Sequence, residues 1–135
     1  MKLGPLLLVV AVACQPVNSP TMNPGDDCLS CHQRDDNRRR FTIGGTVFFA
    51  LDSLVDEGLE AAEIHVTDKN GKQLTLRSNS VGNFYTAEDV AFPLALELQF
   101  HNRRIVMQTP ADSGACNTCH SAEPQNDAPG RLFVQ

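Results

Sequence analysis

Cysteine, two residues, cysteine, histidine: this pattern occurs at Cys28–His32 (CLSCH) and again at Cys116–His120 (CNTCH), with no cysteine between them. A fold for this chain must present two thiols and an imidazole on each of two short turns near opposite ends of 135 residues. Two C-x2-C pairs are also compatible with a four-cysteine zinc site, with redox-active dithiols or with plain disulfides. None of these needs a histidine directly after the second cysteine, and here it follows both times.

C-x-x-C-H is the attachment sequence for c-type haem. Two thiols three positions apart on a helical turn each add to one porphyrin vinyl group. The following histidine then lies under the macrocycle, where a ring nitrogen binds iron. On this reading Cys28, Cys31, Cys116 and Cys119 carry two covalent haem c groups, and His32 and His120 are the proximal ligands. Asp26-Asp27 and Ser113-Gly114 precede the motifs, as short polar residues do where helices begin. The chain resembles a dihaem c-type cytochrome, which implies one-electron transfer with other redox proteins met transiently.

The amino terminus, MKLGPLLLVVAVAC, has one lysine before an apolar run that ends in small residues at Cys14. That is the layout of an export signal, and the run is shorter than the ~20 residues of a membrane span. Ala11-Val12-Ala13-Cys14 resembles the lipobox of bacterial lipoproteins, implying a lipid on Cys14 and anchorage to a membrane in the periplasm or at the cell surface. Residues 1–13 are then the signal peptide. The five cysteines divide without remainder, one to the lipid and two to each motif. The net charge of −5 argues against a nucleic-acid surface, and the isolated Arg38-Arg39-Arg40 run is too short to reverse that; it suits a solvated loop or charge partners for the anionic groups of a cofactor.

Residues 14–27, with three prolines and few large apolar side chains, are expected to be a flexible tether, followed by the first attachment segment over 28–40. From residue 41 the pattern turns to strands. Thr42–Leu51 is β-branched and aromatic, and AEIHVTD puts Ile64 and Val66 on one face and Glu63, His65 and Thr67 on the other. DKNG at Asp68–Gly71 is a hairpin turn, KQLTLRS its returning strand and FYTA a short strand. LALELQF alternates with Leu94, Leu96, Leu98 and Phe100 inside, HNRR turns, and IVMQT returns. The fold class is therefore mainly β, a small antiparallel sandwich of six or seven strands over 41–109, with short helical turns at the two motifs. Residues 110–135 form the second attachment segment and a tail whose Arg131–Val134 packs on the second haem or frays.

Gly45-Thr46-Val47, Ala61–Val66, Asp68 with Gly71, and Gly82–Tyr85 carry a resemblance to the carboxypeptidase regulatory-like, or transthyretin-like, β-sandwich family. It covers about half of the chain and implies a scaffold without catalysis. Ala61-Ala62 stands where that family usually has Gly-Ala. No acid–base pair, activated nucleophile or phosphate loop is evident; Glu57, Glu60 and Glu63 sit around a turn as solvated carboxylates. An enzyme and a small-molecule substrate are not expected.

Strands that each turn back on the one before return the chain, after six, to the end where it entered, so both motifs are expected at one end of the sandwich. Met107, paired with Leu98 on the inner face, and His65 are the candidate distal ligands, ahead of Met22 in the tether and His101 in a far turn. Methionine opposite histidine raises a haem potential relative to two histidines. Two other classes stay open: a haem sensor with one five-coordinate iron, and a zinc or disulfide module that binds a partner.

Overall fold

The computed structural model describes residues 19–33 and 39–134. The expected signal peptide, the lipid site at Cys14, Asp35-Asp36 and Arg38 lie outside them. Helix α1 (Cys28–His32) is followed by β1 (Ile43–Phe48), β2 (Glu63–Thr67), β3 (Gln73–Arg77), β4 (Asn83–Thr86), β5 (Ala95–Phe100) and β6 (Arg103–Val106). Helix α2 (Cys116–Cys119) and β7 (Leu132–Phe133) complete the order. The chain is mainly β, as its alternation requires: a three-stranded sheet β4-β1-β7 stands with a four-stranded sheet β3-β2-β5-β6.

The core lies between the sheets. Ile43 and Val47 of β1 and Phe84 of β4 meet Ile64 and Val66 of β2, Leu98 of β5 and Leu94 just before it. Val134 is buried with them, and β7 runs parallel to β1 through Val47↔Leu132 and Phe48↔Phe133, so the tail is paired rather than frayed. β2 places Ile64 and Val66 inward and Glu63, His65 and Thr67 outward, following its period of two.

Three expectations need correction. The first strand ends at Phe48, not Leu51, because Phe49 N–H turns to Glu57 O and the Ala50–Ser53 turn closes through Ser53 N–H to Ala50 O. The HNRR turn is shorter than expected: His101 and Asn102 alone separate β5 from β6, with His101 at φ 53°. The register follows, so Ile105 faces Leu98, and Met107 N–H donates to Leu96 O. Residues 20–27 are also no free tether. Pro20 O and Met22 O accept from the Asn83 side-chain amide, and Gly25 N–H donates to Thr46 Oγ1 at 2.9 Å. Hydrogen bonds, rather than apolar burial, order this proline-rich stretch.

Ala61 sits at φ 65°, in the left-handed region that favours glycine. The position where the resemblance expects glycine is thus the one whose backbone asks for it. Ala61→Gly is expected to raise the unfolding free energy by roughly 0.5–1 kcal/mol, the relief of left-handed strain less the extra chain entropy of glycine. A higher denaturant midpoint at unchanged slope is the check.

Candidate functional site

Both motifs fold as single helical turns seated on β1. Helix α1 begins at Asp27, whose carboxylate accepts from Leu29 N–H and Ser30 N–H, the cap expected there. Helix α2 has no such side-chain cap: Ala115 occupies the capping position, and Ser113 Oγ accepts only from Ala115 N–H. The carbonyl two residues earlier receives the first thiol of each motif, Asp26 O from Cys28 at 3.6 Å and Gly114 O from Cys116 at 3.5 Å. The second turn is seated by backbone instead, with Gly114 O accepting from Gly44 N–H at 2.9 Å beside β1.

Two adjacent glycines let the turns approach. A Cβ on Gly44 would stand 3.0 Å from Cys28 Cβ, and one on Gly45 would stand 2.9 Å from Cys116 Cβ and 2.6 Å from the Phe84 ring. The outer face of β1 is covered by the segment leading into the first motif, its inner face by the core. Consecutive residues of one strand therefore receive the first cysteines of two motifs that are 88 positions apart. Hairpin parity does not bring this about, since β1 and β2 lie in different sheets, as do β3 and β4. Both turns are gathered by β1 itself.

A buried polar network locks them together. Asn117, a variable position of the second motif, is only 3% exposed. Its Oδ1 accepts from Thr46 N–H at 2.9 Å, and its Nδ2 donates to Asp26 O at 2.8 Å and to Thr46 Oγ1 at 3.1 Å. Thr46 Oγ1 in turn donates to Asn83 Oδ1 at 2.9 Å. Every donor and acceptor of the two amides and the hydroxyl is used, the condition under which such a network specifies one arrangement. The sequence marked Thr46 and Asn83 only through the sandwich resemblance and did not mark Asn117, because a tolerant position within a motif carries no local signature of a long-range hydrogen bond.

The two histidines share one arrangement. His32 Nδ1 lies 2.7 Å from Arg39 O, and His120 Nδ1 lies 3.0 Å from Gly130 O. A carbonyl only accepts, so Nδ1 is the protonated nitrogen and the Nε2 lone pair is left for a metal. A backbone carbonyl behind the ring is a common orienting partner for a metal-ligating histidine. The His32 ring also stacks on Phe41 at 4.3 Å, and Phe41 stacks on Tyr85 at 4.6 Å.

Cys28, Cys116 and Cys119 are free thiols. Burial pushes Cys28 up to about 11 and Cys116 to about 12, from an ordinary 9.0, with the neighbouring Cys28 adding to the rise at Cys116. The folded chain therefore holds protons that the unfolded chain releases. The stability of the haem-free protein is expected to be fully present below pH 9 and to fall as pH rises from 9 toward 11. Unfolding midpoints at pH 7.5 and pH 10 measure it.

His65 and Met107, the expected distal ligands, lie in and beside the four-stranded sheet, whereas both motifs are seated on β1 of the other sheet. His65 lies on the outer face of the four-stranded sheet, with Nδ1 3.1 Å from Thr75 Oγ1 and Nε2 3.5 Å from Glu63 Oε2, facing away from both motifs. Met107 is half-buried just beyond β6, opposite Leu96 rather than Leu98. Met22 is held by its carbonyl to Asn83, within the network that joins the motifs, and His101 is exposed in its turn. Among the described residues no group of three or more His, Cys, Asp or Glu converges as a metal-holding cluster. A haem site does not need one, since its protein donors are one histidine and one distal group. No protein-family model, curated protein or solved structure matches the chain.

Proposed function

We propose that this chain is a dihaem c-type cytochrome that passes single electrons between transient redox partners, exported and held at a bacterial membrane by a lipid on Cys14. The observation that carries the reading is the shared setting of His32 and His120. In both, the imidazole directly after C-x-x-C gives its Nδ1 proton to a main-chain carbonyl and leaves Nε2 as a lone pair.

The donor set fits the cofactor. Cys28 with Cys31, and Cys116 with Cys119, place two cysteine sulfurs on each turn, and one nitrogen per motif is oriented for iron. Bound haem would supply the reversible Fe(II)/Fe(III) couple. The chain's own part is to hold each imidazole in one tautomer, to fix the two turns on Gly44 and Gly45, and to keep their spacing rigid through Asn117. Two sites seated on one strand suit a short relay, in which an electron accepted at one is passed to the other.

Staining a denaturing gel for haem peroxidase activity tests this. Cys28→Ala/Cys31→Ala and Cys116→Ala/Cys119→Ala are each expected to halve the stain, and their combination to abolish it. A wild-type band without stain refutes the proposal. A second reading, a haem sensor with one iron open to a diatomic ligand, gains support from the outward placement of His65, which takes away one distal candidate. Carbon monoxide added to the reduced protein separates the two: a prompt spectral shift favours the sensor, an unchanged spectrum the carrier.

A further inference from the structure

We propose that Phe41 and Tyr85 are positioning residues that fix the plane of the His32 imidazole, and with it the axial ligand field of iron bound at the first motif. The inference rests on reading that motif as a haem site. The hydrogen bond from His32 Nδ1 to Arg39 O selects the tautomer and restrains the ring at one edge. Rotation about the bond to the ring is opposed by a flat surface, and Phe41 provides one at 4.3 Å with planes 28° apart. Phe41 is backed on the same stack by Tyr85 at 4.6 Å and 21°.

Tyr85 is itself fixed by strand pairing. It lies opposite Gly44 in the β1–β4 ladder, the residue on which Cys28 packs. The stack thus refers the orientation of His32 to the same strand that seats the first thiol. Its outer end is open, with Tyr85 40% exposed, so replacing that ring removes little from the core. Among the described residues no aromatic ring stacks on His120, which makes the second site an internal control.

Unpaired spin on a ferric low-spin haem spreads along directions set by the axial imidazole plane, and the haem ring-methyl resonances report it. In the oxidised holoprotein, Phe41→Leu and Tyr85→Leu are expected to shift the ring-methyl resonances of one haem and leave those of the other in place. Tyr85→Phe, which keeps the stacked ring, is expected to retain the wild-type spectrum. Should Phe41→Leu not fold, Tyr85→Leu decides alone. Holoprotein with haem on both motifs and methyl resonances indifferent to both leucine variants would overturn the inference and leave the haem reading intact. Wild-type protein without haem on Cys28 and Cys31 would instead overturn the reading of the site, and this inference with it.

Discussion

Asn117→Leu is expected to lower the unfolding free energy by about 2–4 kcal/mol, a large share of the stability of a domain this small. Leucine fills nearly the same volume, so the loss is not that of a cavity. It strands the buried Thr46 N–H, which has given its hydrogen bond to Asn117 Oδ1, and it removes the donor to Asp26 O. Each stranded group costs about 1–3 kcal/mol, the exposed side of Asp26 recovering part through water. Asn117→Asp keeps the acceptor for Thr46 N–H but loses both donors and places a carboxylate beside the Asp26 carbonyl, so it is expected to fare no better. Asn79, half-buried, which accepts from Val81 N–H and Asn83 N–H and donates to Pro20 O, is the comparison: its bonds are exposed or only part-buried, so Asn79→Ser should cost less. Urea unfolding of the three variants, with slopes compared, reads the difference.

Gly114→Ala is expected to be comparably damaging for a different reason. Its Cβ would overlap the Thr42 carbonyl oxygen and stand 2.9 Å from Ile43 Cα. Both belong to the backbone at the start of β1, which cannot rotate aside as a side chain does. The methyl therefore forces the loop off the strand, breaking the Gly44 N–H to Gly114 O bond and unseating Cys116. Overpacking of this kind costs roughly 3 kcal/mol. Gly71→Ala separates the effect from backbone strain: Gly71 has φ +86° and nothing within 4 Å of an added Cβ, so that variant bears only the left-handed penalty of about 1–2 kcal/mol. Gly114→Ala should lose more stability than Gly71→Ala and, expressed with haem maturation, a larger share of its second haem.

The strands were legible because their side chains alternate: Ile64 and Val66 against Glu63 and His65 announce both the strand and its buried face. The two C-x-x-C-H segments were legible as short helical turns, and each folds as one. What escaped lies in connections without a local signal. β1 carries Gly44-Gly45 within an apolar run, and nothing in that run says that each glycine receives a helix from a distant part of the chain. The turn after β5 has no glycine to mark it, so His101-Asn102 passed for part of a longer loop and Met107 was set opposite the wrong leucine. β7 is two residues long and pairs in parallel, too short for any period to show. The order of residues 20–27 comes from the side-chain amides of Asn79 and Asn83 donating to their carbonyls, an interaction that composition cannot foresee.

The placement of two C-x-x-C-H motifs near opposite ends of the chain suits this geometry. A central strand that is buried on both faces offers two adjacent seats, one taken by the segment before the sandwich and one by the segment after it. The buried amide of Asn117 then ties the second segment to the carbonyl that precedes the first.

The most direct measurement is the intact mass of the mature protein, reduced and denatured, after expression in a host equipped for cytochrome maturation. The account predicts a coloured product heavier than the processed polypeptide by two haem groups that denaturation does not release. A colourless product with the mass of the bare polypeptide would contradict it.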